Sequence, residues 1–489
     1  MKLGLGLLLT TMSKATRQIS VFALSILLAR FLSKDEYGTY LHLHLIMNIA
    51  MWAFMLGIPH SVYFFLPKAR HKARFILMTL GIISTIAILV AGSTALFMDG
   101  ISTVLNNPDL PQFAILIGLI IVFTIPTTVF EPLMISADRV NTFIRVDFIF
   151  NISYFWVIFI PIWMDFSLLE LFNVLVVYHS LQAIVVLFFM FQTQSRMQDD
   201  PTGLTCTIKD QFGYALPIGV SQGVFELAKY GDKIIVSNFF NPATYAVYAR
   251  GAMEIPVINI INNTVDNLLM PKFIQIFESH NTRGLLDFWH RSIRILACLM
   301  YPCFFFLVFT AHLLIPALYS DKYLDSVPIF QIYSCTILFR VSTYNVIVRV
   351  IGKTGIMARV ALISEILSLA ITFTLVHFFG LIGAPIATVI GTAIVVGGYL
   401  YNICFELNIS WRDIFPWKSL LSIAVLSAAP LLPLYPLHWL EWSEWPTLGI
   451  MALVYCVGYL ILVRTTHVIS NEDKDQVREI LPGRFKNWI

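Results

Sequence analysis

Apolar residues run along almost the whole chain in long stretches, which short polar connections separate. Stretches long enough to cross a hydrocarbon core of roughly 30 Å predict about fourteen transmembrane helices. They lie near residues 5–32, 37–65, 75–98, 113–136, 142–164, 168–192, 212–240, 243–270, 289–317, 326–350, 356–378, 382–405, 418–437 and 446–464. The pattern therefore predicts an all-α polytopic membrane protein with no separate soluble domain.

Composition and the distribution of charge support a membrane protein and predict its orientation in the bilayer. Of the 489 residues, 58% are hydrophobic and 12% are charged, whereas a soluble domain has about 25% charged residues. Basic residues gather in alternate connections, beginning with 68–74, while the other connections have Lys34 and Lys322 as almost their only basic residues. The positive-inside rule then predicts that both termini are cytoplasmic.

The two halves of the chain repeat one pattern. ARFLSKDEYGTYLH at 29–42 resembles SNFFNPATYAVYAR at 237–250, with two tyrosines at matching positions. Chance matching of aromatic-rich helix ends is the alternative, but an even number of helices in each half fits parallel repeats. The predicted domains are an N-terminal six-helix lobe, a C-terminal six-helix lobe, two additional transmembrane helices and a cytoplasmic tail, at 1–200, 201–410, 411–465 and 466–489.

Two basic residues lie inside the first predicted helix. The segment after Arg17 holds about 15 residues, which span only about 22 Å, so the helix must begin earlier. Lys14 and Arg17 are three positions apart and share one face of that helix. Either both side chains reach the cytoplasmic headgroups, or they form a cationic patch that faces a cavity.

The stretch ELAKYGDKIIVSNFF at 226–240 is unusually charged for a membrane segment. An ionisable group near the bilayer centre costs at least roughly 2.5–3.5 kcal/mol. Glu226, Lys229 and Lys233 share one helix face, with Asp232 beside them. One interpretation is a self-neutralising network. The other is that Lys229 or Lys233 faces a cavity. We favour the second, because an apolar pair would insert into the membrane at lower cost if stability alone mattered.

The next predicted helix continues this polar character. Arg250 and Glu254 stand at i and i+4, just before Pro256. A polar stripe follows at i, i+3, i+4 and i+7, formed by Asn259, Asn262, Asn263 and Asp266. Amide groups often join membrane helices through hydrogen bonds, but four polar groups in line favour a wet surface.

Two further intramembrane groups have alternative roles. Arg340 lies near the middle of the tenth predicted helix, and Glu365 of the following helix is its expected charge partner. A structural ion pair and a ligand-binding role both fit this position. His42 is expected to pack through hydrogen bonds, with proton coupling as the alternative.

Several classes of function lack a sequence signal. IGKTG at 351–355 does not complete a nucleotide-binding loop, because position 347 is Ile and not Gly. No catalytic nucleophile–base set, metal cluster or nucleic-acid-binding pattern stands out, so we expect neither an enzyme nor a cofactor. Transport would then use an H⁺ or Na⁺ gradient, or removal of the product downstream.

Two stretches carry a family resemblance. Residues 25–68, and residues 348–391 with a short basic loop before a helix ending in FGLIGA, resemble the bacterial polysaccharide transporters of the Wzx type. That family belongs to the MOP superfamily, with the MATE exporters and the lipid II flippases. The resemblance implies a V-shaped pair of six-helix lobes around a central cavity, plus two C-terminal helices.

The resemblance also implies a function in the bacterial inner membrane. It is the transfer of an undecaprenyl-pyrophosphate-linked oligosaccharide from the cytoplasmic to the periplasmic leaflet, for O-antigen, exopolysaccharide or capsule synthesis. Expected partners are membrane lipids, a polysaccharide polymerase and chain-length proteins. A cationic cavity suits pyrophosphate. Its expected bases are Lys14, Arg17, Lys229, Lys233, Arg250 and Arg340. The polar stripe is expected to face the sugars, and Glu254, Glu365 and His42 are the expected charge or coupling partners.

Three alternatives remain at the level of sequence. A MATE-like drug exporter would be expected to hold a cation-binding acid in the first lobe, where Lys14 and Arg17 stand instead. A lipid II flippase would need the same cationic cavity. A membrane-embedded sugar polymerase or glycosyltransferase usually has a sizeable extramembrane loop for its chemistry, and the outward loops here are short.

Overall fold

A computed structural model gives the fold. It describes residues 2–439 and 443–466, with Val468 and Asp473, and its described side chains begin at Thr16 and leave out a few positions, among them Asn263. In this part of the chain the regular structure is helical, apart from one isolated β-bridge. The all-α class predicted from the sequence is confirmed.

The helices are numbered in chain order. The first ten are α1 (Lys2–Phe31), α2 (Lys34–Phe54), α3 (Ile58–Phe65), α4 (Lys72–Leu96), α5 (Met98–Val104), α6 (Ala114–Thr127), α7 (Phe130–Ser136), α8 (Val140–Trp163), α9 (Leu168–Gln194) and α10 (Ile208–Phe239). The next nine are α11 (Pro242–Gly251), α12 (Pro256–Glu278), α13 (Thr282–Tyr319), α14 (Ser326–Ser334), α15 (Tyr344–Val350), α16 (Thr354–Phe379), α17 (Gly383–Leu407), α18 (Trp417–Ala428) and α19 (Glu444–Thr466). Short 3-10 helices lie at Leu66–Lys68, Leu110–Phe113, Asp321–Tyr323, Cys335–Phe339, Gly380–Ile382 and Ala429–Trp439.

Three helix starts are fixed by reciprocal caps. At α2, α9 and α10, the hydroxyls of Ser33, Ser167 and Thr207 accept a hydrogen bond from the backbone N–H three residues ahead. The acidic side chain at that position accepts a bond from the backbone N–H of the cap residue in return. Such a cap contributes about 1 kcal/mol to helix stability, and it explains why these helices begin where they do.

Every predicted transmembrane segment is helical over most of its length, but four of them are divided into two helices each. These are the segments near 37–65, 113–136, 243–270 and 326–350. The first break falls at Leu56 and Gly57, whose φ angles are 51° and 69°, a backbone region that suits Gly and is uncommon for Leu. The break before α12 precedes Pro256, because a proline disfavours helical backbone in the residue before it.

Eight segments of the described chain are long and apolar enough to cross a membrane. They include Lys72–Leu96, Thr282–Tyr319 and Gly355–Leu407, the last of which contains both α16 and α17. α10 and α12, which carry many of the charged and amide residues singled out above, are not among the eight. The chain is therefore a multi-pass membrane protein, while the count of fourteen spans and the orientation stay predictions.

The chain separates into two compact units, Met1–Ala246 and Val247–Ile489. The predicted lobes divide at residue 200 instead, so that α10 would begin the second lobe. In the first unit, α10 packs closely against the break between α2 and α3: a Cβ on Gly219 would lie 2.1 Å from the carbonyl carbon of Leu56. Small residues permit such close approach between membrane helices. The lobes at 1–200 and 201–410 stay a prediction.

A buried amide extends the contact of α10. The Nε2 of Gln211 donates hydrogen bonds to the hydroxyls of Ser61 on α3 and Thr79 on α4, at 2.8 and 2.9 Å. All three side chains are buried. Hydrogen bonds of this kind hold membrane helices together where apolar burial against lipid gives no driving force.

The second unit has its apolar core around α13. Trp289 and Ile293 of α13 are fully buried with Phe273 of α12 and Ile347 of α15. Near the end of the chain, the Tyr455 hydroxyl contacts the carbonyl of Pro302 at 3.1 Å. These contacts anchor α12, α15 and α19 on one long helix.

Candidate functional site

The charged stretch of α10 is built around one aromatic ring. Lys229 Nζ lies 3.7 Å from the carboxylate of Glu226. The Nζ atoms of Lys229 and Lys233 lie 5.3 and 5.0 Å from the centre of the Tyr230 ring. A cation over a tyrosine ring is stabilised by about 0.5–1 kcal/mol at exposed sites. The structure thus contains the Glu226–Lys229 pair of the predicted self-neutralising network, and an aromatic ring that contacts both lysines. That Lys229 or Lys233 faces a cavity stays a prediction.

The basic residues of the first helix lie within it, as predicted. α1 runs without a break from Lys2 to Phe31. The side chain of Lys14 lies outside the described residues. Arg17 is exposed and lies within electrostatic range of Tyr154 on α8. Whether these groups meet headgroups or a cavity stays a prediction.

Arg250 occupies a different setting from the predicted one. α11 ends at Gly251 and α12 begins at Pro256, so Arg250 and Glu254 do not share a helix face, and the predicted i, i+4 relation is wrong. The physical reason is Pro256, which starts a new helix. Arg250 is 9% exposed, and its guanidinium carbon lies 5.3 Å from the centre of the Tyr319 ring.

Three predicted site residues come together at the interruption between α14 and α15. Arg340 Nη2 donates to Glu254 Oε1 at 2.9 Å, and Arg340 Nη1 donates to Asn259 Oδ1. Asn259 Nδ2 donates to Glu254 Oε2 at 2.8 Å. The three side chains form a closed ring, called below the Arg340 ring.

The Arg340 ring corrects one predicted pairing. The sequence predicted Glu365 as the partner of Arg340, whereas the ion pair that the structure shows is with Glu254. Helix breaks before Pro256 and after Arg340 allow two distant segments to meet there, which the spacing along the chain does not reveal. Glu365 is half-buried on α16. Asn259 joins two segments by hydrogen bonds, the role that amides often have in membranes.

The remainder of the polar stripe is half-buried. Asn262 and Asp266 have partly exposed side chains, and Asn263 lies outside the described residues. Arg349 on α15 lies within electrostatic range of Asp266. The role of this stripe as a sugar-facing surface stays a prediction.

A small cleft of about 20 Å³ lies beside the Arg340 ring, with room for about one water molecule. Its wall contains Glu254 and Arg340 together with Tyr333, Ser334 and Thr336. The side chains of Arg340 and Glu254 are 28% and 50% exposed. A guanidinium has five N–H donors, and the contacts within the ring use two of them. The remaining donors are available to an anion at the exposed part of the Arg340 side chain.

His42 lies at the centre of a buried hydrogen-bond network. Ser237 Oγ donates to the Lys233 carbonyl at 2.7 Å, so it accepts from His42 Nε2 at 2.9 Å. Asn107 Nδ2 then donates to His42 Nδ1 at 3.1 Å, and the His42 ring stacks on Tyr245 with centres 4.4 Å apart. Both ring nitrogens are occupied, so the geometry favours packing over proton coupling.

Two ion pairs were not predicted from the sequence. Arg294 donates to both carboxylate oxygens of Asp473, at 3.1 and 2.5 Å, and Lys353 pairs with Glu406 at 2.6 Å. Both pairs join residues far apart along the chain, which no local spacing predicts. Within the described residues, no group of three His, Cys, Asp or Glu is arranged to hold a metal ion.

Comparison with protein families gives one match. A family model for polysaccharide biosynthesis proteins matches residues 27–328, which is more than half of the chain. Among curated proteins, an uncharacterized membrane protein of Methanocaldococcus jannaschii is 23% identical over 234 residues, or 46% of this chain. The match spans 45% of that relative, about half of its length.

Solved structures share the fold over most of the chain. The lipid II flippase MurJ in an inward closed conformation has a TM-score of 0.69 at 17% identity, covering 94% of this chain and 99% of the other. An inward-facing multidrug resistance MATE family transporter of the MOP superfamily has a TM-score of 0.61 at 13% identity, covering 81% and 96%. At these identities the similarity concerns the fold alone, which is that of MurJ and the MATE transporters.

Proposed function

The chain belongs to the polysaccharide biosynthesis protein family, as its sequence predicted, and we propose that it is a flippase for a lipid-linked oligosaccharide. Its cargo is an undecaprenyl-pyrophosphate-linked repeat unit, which it moves from the cytoplasmic to the periplasmic leaflet of the inner membrane by alternating access. The product supplies O-antigen, exopolysaccharide or capsule synthesis, with a polymerase and chain-length proteins as partners. The protein acts as a transporter and not as an enzyme, with both termini in the cytoplasm.

The observation that carries this proposal is the Arg340 ring beside its cleft. Without cargo, Glu254 neutralises Arg340, so that no unpaired charge lies in a poorly hydrated segment. A pyrophosphate oxygen replaces the carboxylate of Glu254 at Arg340 when cargo binds. One anion is exchanged for another, and hydrogen bonds between a guanidinium and a phosphate are among the strong ones in proteins.

The other cations and polar groups extend this site. Lys229 and Lys233, held at the Tyr230 ring, add positive charge to a segment predicted to cross the membrane, as do Lys14, Arg17 and Arg250. The stripe of Asn259, Asn262, Asn263 and Asp266 contacts the glycan, and the polyprenyl chain stays in lipid. The lobes at 1–200 and 201–410 rock about the cargo, with 411–465 as additional helices and 466–489 as a tail.

Energy for transport comes from an H⁺ or Na⁺ gradient or from removal of the product, with no cofactor. Glu254 and Glu365 are the carboxylates that we propose for coupling. Glu254 suits this role because its charge state controls the charge of the Arg340 ring, and its side chain is half exposed. His42 is a poorer choice, since both of its ring nitrogens are engaged.

The test replaces Lys14, Arg17 and Arg340 singly by alanine and measures polysaccharide export. We expect each variant to lose export while its amount in the membrane stays normal, because each removes a phosphate-binding cation. Arg74→Ala, at an exposed position, is the matched control and should export normally. Normal export by all three variants at normal expression would show the cationic-site mechanism to be wrong.

Lipid II transport is the second candidate, favoured by the extensive fold similarity to MurJ. It requires the same phosphate chemistry, so substitutions at Arg340 would impair both activities. The two are distinguished by the lipid that accumulates when the protein is absent. Lipid II carries a peptide on its sugar, whereas an oligosaccharide repeat unit does not.

A further inference from the structure

A cavity in the first unit lies among the ends of four helices, and none of its lining residues belongs to the proposed substrate site. It has a volume of about 310 Å³ and is lined by three cationic side chains, Lys72, Arg139 and Arg196. This volume falls within the range of roughly 300–1,000 Å³ that is usual for ligand sites. Lys72 begins α4, Arg139 precedes α8, and Arg196 follows α9. The positive-inside rule assigns these helix ends to the cytoplasm.

The charge of the three cations is the next feature of this cavity. Among the described residues, none of them forms an ion pair with a carboxylate. Arg139 Nη1 donates to the Thr193 hydroxyl at 3.0 Å, and Thr193 is buried in the cavity wall. A guanidinium so placed keeps its full charge, with most of its donors available to a ligand.

Backbone groups add to the positive field. α4 and α8 both begin at this cavity and have no side-chain cap, so their first N–H groups are open at the positive ends of helices of 25 and 24 residues. Two acids oppose the field in part. Asp138 also lines the cavity, and the pKa of Asp200 is held below its usual value by hydrogen bonds from Thr202 and by the charge of Lys72.

The second unit provides an internal comparison for Arg139. Lys353 directly precedes α16 just as Arg139 precedes α8. Lys353 pairs at 2.6 Å with Glu406, the next-to-last residue of α17. The partner of Arg139 is Thr193, the next-to-last residue of α9. At the position where one unit has a carboxylate that neutralises the cation, the other has a hydroxyl that leaves it charged.

We propose that this cavity is a binding site for an anion that carries a phosphate group. Arg139, Lys72 and Arg196 neutralise the phosphate, Thr193 orients Arg139, and the N-termini of α4 and α8 donate backbone hydrogen bonds. The phosphate belongs either to an anionic lipid headgroup or to a soluble anion from the cytoplasm. The proposal does not depend on the transported cargo, because the site can be occupied without transport.

The experiment measures binding to the full chain purified in detergent and stripped of lipid. Inorganic pyrophosphate is titrated by calorimetry at low ionic strength, and dioleoylphosphatidylglycerol is added and counted by native mass spectrometry. Both measurements are repeated on Arg340→Gln, where binding at the proposed cargo site is lost and binding at this cavity should remain; binding that disappears in this variant would overturn the proposal. Pyrophosphate binding without lipid binding identifies a soluble anion. Lipid binding that pyrophosphate displaces identifies a headgroup at the same site. Wild-type protein that binds neither probe overturns the proposal.

The decisive variant is Thr193→Glu, which supplies the missing carboxylate and removes no cation. We expect it to weaken binding about tenfold or more, since charged hydrogen bonds are worth about that factor. Thr193→Gln changes size without charge and should bind within about threefold of wild type. Arg139→Gln should behave like Thr193→Glu, and Arg74→Gln, outside the cavity, like wild type. Equal affinities for the Glu and Gln variants at 193, or equal losses at Arg74 and Arg139, would contradict the site.

Discussion

The exchange of Glu254 for a phosphate oxygen at Arg340 can be tested by Glu254→Gln, Arg340→Gln and the double variant. The ion pair spans 2.9 Å, but its side chains are 50% and 28% exposed, so it contributes less than about 1 kcal/mol to stability. Loss of a charged hydrogen bond to phosphate costs about 1.5–3 kcal/mol, which is roughly a ten- to hundredfold loss of affinity. Arg340→Gln should therefore impair export far more than it impairs folding.

The double variant separates a ligand role from a structural one. Export is measured by complementation of a strain that lacks the gene, and stability by thermal unfolding of each purified variant. Glu254→Gln should keep phosphate binding, because the cation remains, but should lose gradient-driven export, because Glu254 is a proposed coupling carboxylate. Arg340→Gln and the double variant should both lose export. If the double variant regained export to near the wild-type level, Arg340 would serve only to neutralise Glu254, and the reasoning would be refuted.

Two further predictions concern packing and ion pairing. Gly219→Ala should destabilise the first unit by about 1–3 kcal/mol, because the new Cβ would lie 2.1 Å from the carbonyl carbon of Leu56. Gly213→Ala is the control and should leave stability unchanged, because nothing lies within 4 Å of its Cβ position. Equal unfolding temperatures for the two variants would contradict this packing. Asp473→Asn should cost about 3 kcal/mol, because its side chain is 1% exposed in a bidentate pair. Glu406→Gln should cost less than about 1 kcal/mol of stability, because its lysine partner is 55% exposed. Both variants are measured by thermal unfolding in detergent, and equal losses of stability would refute the distinction between the two ion pairs.

Hydropathy predicted the helices well because crossing a bilayer demands an apolar run of fixed length. It did not predict the helix breaks, since a window of about 18 residues averages across breaks of two to four non-helical positions. Gly57 with the nearby Pro59, and Pro256, were local signals of two of these breaks. The close packing of α10 on α2 and α3 was not predicted either, because Gly219 and Leu56, which meet there, are distant in sequence.

The site was predicted in its residue types but not in its pairing. The sequence singled out Arg340, Glu254 and Asn259 because charged and amide groups are rare in membrane segments. It assigned Glu365 to Arg340 because the two lie on consecutive helices, whereas Glu254, 86 residues away, is brought close by two helix breaks. Thr193 was not singled out, because a threonine near a helix end is common. Its contact with Arg139 is visible only in the structure.

The central claim is that the protein moves a lipid-linked oligosaccharide across the membrane. The most direct measurement uses a strain that lacks the gene: polyprenyl-linked intermediates are extracted, and the membrane face they occupy is determined. We predict that a complete oligosaccharide unit accumulates on the cytoplasmic face, which would identify both the flipping step and the cargo. Normal lipid intermediates together with a changed tolerance to cationic drugs would contradict the account and point to a MATE-like exporter.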